Sequence, residues 1–186
     1  LYLFYFWKTK VNSKFNLIEL GPGRGTLFKD IYNAVAKYSE FMKLANIKFV
    51  EINSELTKLQ KKIVKKNSSI KINWLKKIDF RSKGPSIIYS NEFFDCFPVR
   101  QFIFKEEWYE KYISYNKNND SFFFKENIVY NQKLLSILEK YRKQKLLEIS
   151  FERNKYFEDI CEFIHKNGGL FFTIDYGYKE NINNFS

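Results

Sequence analysis

The sequence predicts an α/β fold: a parallel β-sheet with helices on both faces. Three observations carry this expectation. Short apolar runs alternate with helical periodicities along the first ninety residues. One of these runs passes into a helix through glycines at alternate positions, Gly21, Gly23 and Gly25. A last apolar run, residues 170–174, follows a long helical segment and returns the chain to the sheet.

Composition sets the outer bounds. A chain of 186 residues suits one domain. With 45% hydrophobic and 20% aromatic residues it has ample material for a core, and only 7 Gly and 3 Pro speak against disorder. The net charge of +11 comes mostly from scattered Lys. No block interleaves basic and aromatic residues as an RNA-binding module does, so nucleic acid is not the expected partner. Cys96 and Cys161 have neither metal nor disulfide-framework spacing, which points to a reducing compartment and no metal site. The single His165 lies in a helical stretch and reads as a surface residue. No segment approaches the roughly 18 apolar residues of a membrane span. The chain begins at Leu1, and its only methionine is Met42, so it reads as part of a longer protein.

The elements follow in order. Residues 1–7 look like the end of an amphipathic helix. Residues 16–26 read as a buried strand, a glycine turn and a helix start, with Glu19 the one acid among Leu17, Ile18 and Leu20. Leu27, Ile31, Ala34, Val35 and Tyr38 continue at helical spacing. Residues 47–51 form a second strand ending on Glu51. Asn53 or Ser54 caps the next helix, whose buried face is Leu56, Leu59 and Ile63. Residues 70–74 are a third strand ending on Trp74, and residues 86–90 a fourth. From residue 99 the pattern changes to short strands at 101–104, 108–115 and 121–125, an inserted β-subdomain spanning about 99–150. Residues 132–148 are lysine-rich and partly helical. A helix over 151–166 buries Phe157, Ile160, Cys161 and Ile164 and ends at Asn167-Gly168-Gly169. The fifth strand ends at Asp175.

The glycine turn narrows the ligand. A dinucleotide fingerprint needs a third glycine at position 26, which is Thr26. A P-loop needs Lys after Gly25, and Thr26-Leu27 follow instead. What is complete is acid-x-G-x-G-x-G, Glu19 through Gly25. That pattern resembles motif I of the class I S-adenosylmethionine (SAM) methyltransferases. Glu51 stands where an acid accepts hydrogen bonds from ribose hydroxyls. Trp74 reads either as a stacking partner for adenine or as a core residue. Asn91, Glu92 and Asp95 follow the fourth strand, where a methyl acceptor meets the cofactor. Glu92 and Asp95 are three apart, so one helical turn brings them onto one face. Two carboxylates there can grip a guanidinium; alternatively, Asn91 and Asp95 cap a short helix.

Four stretches together make the resemblance specific: Glu-Leu-Gly-Pro-Gly-Arg-Gly-Thr (19–26), Val-Glu-Ile-Asn-Ser (50–54), Asn-Glu-Phe-Phe-Asp-Cys-Phe-Pro-Val-Arg-Gln (91–101) and Ile-Asp-Tyr-Gly-Tyr (174–178). In that order they resemble the MidA-type methyltransferase family, which includes a mitochondrial complex I assembly methyltransferase. The resemblance implies a Rossmann-like class I methyltransferase fold whose last strands lie beyond this chain. It implies SAM as cofactor and, as in the mitochondrial members, a protein arginine as acceptor. On the reading of the residues above, Glu19, Gly21, Gly23, Gly25, Glu51 and Trp74 are expected to hold SAM, and Asn91, Glu92 and Asp95 to orient the acceptor; the family has Trp-His-Asp after the third strand, where Leu75-Lys76 follow Trp74 here. A complex I subunit or its bacterial counterpart is the implied partner. The compartment would be the mitochondrial matrix in a eukaryote and the cytoplasm in a bacterium. Two rivals remain at this point: an RNA or small-molecule methyltransferase, and an assembly factor of the same fold that transfers nothing.

Overall fold

The computed structural model describes residues 1–65 and 70–176. The side chain of Ile63 and the Gly177-Tyr178 end of the last motif lie outside what is described. The chain divides into two compact units. The first is Leu1–Cys96 with Tyr156–Tyr176, and the second is built on Phe97–Lys155, a little wider than the 99–150 insertion expected.

The first unit holds a five-stranded parallel sheet. Its strands are β1 (Phe15–Leu20), β2 (Ala45–Val50), β3 (Ile72–Leu75), β4 (Ser86–Asn91) and, late in the chain, β9 (Gly169–Ile174). Their order is β3-β2-β1-β4-β9, and every pairing is parallel. The order reverses between β1 and β4, so the ligand crevice of such a sheet lies beyond the carboxyl ends of these two strands. All six residues of β1 are buried, as expected for a central strand covered on both faces. A polar ladder pins the register at the opposite end. Asn73 donates to Asn46 (3.1 Å), Asn46 to Asn16 (3.0 Å), and Asn16 to Ser86 Oγ (3.2 Å).

Helices α1 (Tyr2–Phe6), α2 (Thr26–Ala34) and α3 (Ser39–Leu44) feed one aromatic-rich core. Leu3, Phe4, Trp7, Phe28 and Phe41 pack there against Phe15, Leu17, Ile47 and Phe49 of the sheet. Between β2 and β3 lies α4 (Ser54–Lys65). Asn53 is its cap: its side-chain oxygen accepts from the N–H of Glu55 (2.9 Å) and Leu56 (3.3 Å). The apolar face expected for α4 is corrected. Leu59 is exposed and Leu56 half-buried, and among the described side chains of this helix the one fully enclosed is Gln60.

The second unit carries an antiparallel sheet in the order β7-β6-β5-β8. Its strands are β5 (Arg100–Phe104), β6 (Trp108–Asn116), β7 (Ser121–Ile128) and β8 (Leu146–Ile149), with α5 (Gln132–Leu138) between the last two. The strand β8 replaces the end of the lysine-rich stretch expected to be partly helical. Phe102, Trp108, Val129, Leu138, Leu147 and Ile149 form this unit's own core.

Helix α6 (Phe151–Asn167) precedes β9. Its buried residues are Ile160 and Phe163, whereas Cys161 and Phe157 are exposed, so the expected face is rotated. The Phe80 ring packs on Tyr156 and Phe163, while Phe157, though exposed, still meets the rings of Phe94 and Phe171. His165 is exposed on this helix.

Candidate functional site

The turn after β1 forces left-handed backbone at alternate residues. Gly21, Gly23 and Gly25 have φ of +58°, +53° and +76°, a region that costs other residues about 1–2 kcal/mol. Each glycine has a different further reason. At Gly21 an added Cβ would stand 2.8 Å from the Phe93 ring. Gly25 caps α2, and a Cβ there would touch the Gln60 stem and the Phe49 ring. At Gly23 an added Cβ would meet nothing within 4 Å. The backbone there is bare toward open space, as close approach by a ligand requires.

Glu19 is 3% exposed on β1 and accepts a hydrogen bond from the Tyr89 hydroxyl at 3.0 Å. Burial, only partly offset by that bond, pushes its carboxyl up to about 8. The group is therefore a neutral acid near pH 7. Glu51, directly after β2, is also buried. Its Oε1 accepts from the Asn53 N–H at 2.8 Å and its Oε2 from Gln60 Nε2 at 3.3 Å. Each oxygen keeps a lone pair, so two acceptors remain for a vicinal diol.

Trp74, at the end of β3, is half-buried with its ring edge-on to Phe49, and its indole N–H donates to Gln60 Oε1 at 2.9 Å. Lys61 Nζ sits 5.3 Å above the ring. These contacts describe a core residue at the rim of the site.

Beyond β4 the chain turns sharply. Glu92 has φ of +47°, and its N–H donates to the Ile174 carbonyl of the neighbouring β9 at 2.9 Å. Asp95 lies in the single tight turn Phe94–Cys96. The Glu92 and Asp95 side chains are exposed, as is that of Asn91. Asp95 accepts from the Tyr176 hydroxyl and from Cys96 Sγ, the latter at 3.4 Å, so it is not the cap of a helix. The Cys96 thiol is held up by burial first, then by the Asp95 bond and the charges of Asp95, Asp175 and Glu92. The Asn91–Ile174 pairing sets Asp175 beside Glu92, and the bond from the Tyr176 hydroxyl ties that strand end to Asp95, so the three acids form a single cluster. The cluster connects to the glycine turn, since Phe93 covers Gly21.

Residues 1–185 match the family model described as "Putative S-adenosyl-L-methionine-dependent methyltransferase". The chain belongs to this methyltransferase family. The protein arginine methyltransferase NDUFAF7 homolog, mitochondrial, of Caenorhabditis elegans is 29% identical over 91% of this chain and 44% of its own length. Its Drosophila melanogaster counterpart is 25% identical, over 89% of this chain and 44% of its own. A Burkholderia thailandensis structure bound to S-adenosyl-homocysteine superposes with a TM-score of 0.75 at 19% identity, covering 95% of this chain and 45% of that one. It shares the fold. The chain spans less than half the length of these relatives.

Two parts of the candidate site were not anticipated. Asp175 and Tyr176 belong to a motif visible in the sequence, and only the β4–β9 pairing sets them beside Asp95. Gln60 sits in a run of lysines and gives no signal of burial. Among the described residues, no helix is long and apolar enough to cross a membrane.

Proposed function

We propose that this chain supplies cofactor and acceptor residues to an enzyme that methylates arginine on a protein, with SAM as donor. One observation carries the reading. The bare backbone at Gly23, the spare acceptors of Glu51 and the Glu92–Asp95–Asp175 cluster all follow the carboxyl ends of strands in one parallel sheet. The residues present fit the cofactor: a turn open to close approach, two acceptors for a ribose diol, and a buried acid on the same strand as the turn.

When bound, SAM supplies a methyl group on a sulfonium, so the protein contributes position and charge. Glu51 accepts from the ribose hydroxyls. The glycine turn admits the methionine part, and Glu19 lies beneath it. Trp74 borders the adenine side. Glu92 and Asp95, with Asn91 beside them, orient a planar guanidinium through paired N–H···O bonds. A carboxylate takes the proton that the guanidinium gives up late in transfer. Asp175 adds a third negative charge, which favours a cationic acceptor over a neutral one. The names of the similar worm and fly proteins support protein arginine as acceptor and a mitochondrial compartment if the source is eukaryotic; in a bacterium the compartment is the cytoplasm. A complex I subunit or its bacterial counterpart is the partner we infer, from the family resemblance.

The test pairs two measurements on the full-length protein. SAM affinity is read by calorimetry, and methyl transfer to purified complex I subunits by mass spectrometry. Glu92→Gln and Asp95→Asn should each leave SAM affinity within about twofold and slow transfer roughly 100-fold. Wild-type transfer in both variants would reduce the carboxylates to structural groups. Transfer to RNA or a small molecule instead of protein would overturn the acceptor. SAM binding with no transfer at all would leave an assembly factor.

A further inference from the structure

Gln60 of α4 is only 1% exposed, and its amide is used from three directions. Its Nε2 donates to the Gly23 carbonyl at 2.7 Å and to Glu51 Oε2 at 3.3 Å, while its Oε1 accepts from the Trp74 indole N–H at 2.9 Å. The orientation of the amide follows from chemistry. An indole N–H can only donate, so it must face the amide oxygen, and both amide hydrogens are left for the two acceptors. The stem of Gln60 also passes under Gly25, where an added Cβ would stand 3.9 Å from its Cγ.

We propose that Gln60 is a positioning residue of the cofactor site, tying the glycine turn to the ribose-binding acid so that both are set before ligand arrives. The inference rests on the SAM reading of this site. Two observations favour it over simple core filling. All of its bonds go to the turn, to Glu51 or to the tryptophan at the rim. Together with Asn53 it occupies one lone pair on each Glu51 oxygen, leaving the pair that a vicinal diol needs. Gln60 touches no reacting atom, so it acts on cofactor affinity and not on the methyl transfer step.

The experiment uses the full-length protein, with S-adenosylhomocysteine as the calorimetric probe. Gln60→Met keeps length and volume and removes all three hydrogen bonds. Gln60→Glu keeps shape and the acceptor for Trp74, removes the donors, and sets a second carboxylate beside Glu51. In folded protein, Gln60→Met should weaken the probe about tenfold and raise the KM for SAM, with kcat within about twofold. Gln60→Glu should weaken it further at pH 8. Relative to wild type it should partly recover at pH 6, because two close carboxyls come to share a proton. A purely structural glutamine would shift the melting temperature of both variants and leave the affinity of the folded protein and its pH ratio unchanged; that result overturns the proposal. If one variant does not fold, the other decides. A wild-type protein that does not bind the probe overturns the SAM reading and this inference with it. Binding by wild type with no loss in a folded variant overturns the inference alone.

Discussion

At the scale of single residues, the glycines separate stability from binding. Gly21→Ala combines left-handed strain with a 2.8 Å approach to Phe93. We expect a loss of about 2–4 kcal/mol in urea unfolding. Gly23→Ala meets only the strain, about 1–2 kcal/mol, because nothing in the protein opposes its Cβ. Its effect should fall on the ligand, with SAM affinity reduced about tenfold or more. Equal affinity in wild type and Gly23→Ala would remove that turn from the site. Glu19 makes a separate prediction. Its carboxyl sits at about 8 in the folded chain and near 4.5 when unfolded. Between these values the native state holds a proton that the unfolded state lacks, so this group's contribution is complete below about 4.5 and falls as pH rises to about 8. Glu19→Gln cannot ionise, so its unfolding free energy should decline less than that of wild type between pH 5.5 and pH 8.5. The gap should reach a few kcal/mol at most. Identical slopes would mean that Glu19 ionises normally in the fold.

At the scale of elements, the cap of α4 matters because this helix carries Gln60. Removing the Asn53 side chain leaves two first-turn N–H groups without their partner. Asn53→Ala should therefore cost about 1 kcal/mol of stability in urea unfolding, while its backbone N–H still reaches Glu51. A change under about 0.3 kcal/mol would mean that water replaces the cap freely. This cap was legible in the sequence, as were all five parallel strands and the glycine turn, because local chemistry dictates them. The face of α6 was not. Phe157, Ile160, Cys161 and Ile164 fit helical spacing as well as Tyr156, Ile160 and Phe163 do, and the partners that decide between them, Phe80, Phe94 and Phe171, come from other parts of the chain. The strand β8 was hidden in the same way. It is four residues long, follows a run of charges, and exists through pairing with β5. Gln60 was hidden by its type and its neighbours, since a glutamine among lysines reads as a solvated face.

At the scale of the whole molecule, the two units have separate cores, one around Phe15, Phe41 and Phe49 and the other around Phe102, Trp108 and Leu138. The net charge of +11 does not separate them in function. The positive charge is spread over scattered lysines, while the proposed acceptor cluster of Glu92, Asp95 and Asp175 is acidic, so total charge is a poor guide to what the site takes. The two cores make a prediction about how ligand stabilises the molecule. A ligand that binds only the folded first unit stabilises it by RT ln(1 + [L]/Kd), about 2.7 kcal/mol at a hundredfold excess over Kd. Amides of β1, β2 and β4 that exchange through opening of that unit should then slow about 100-fold when S-adenosylhomocysteine is added to the full-length protein. Amides of β5, β6 and β7 belong to a core that supplies none of the proposed cofactor residues, and their exchange should change less than about threefold. The same labelling reports on both, peptide by peptide. Equal slowing in both sheets would show that the units open together as one cooperative block. Slowing confined to the second sheet would place the ligand outside the glycine turn and overturn the site.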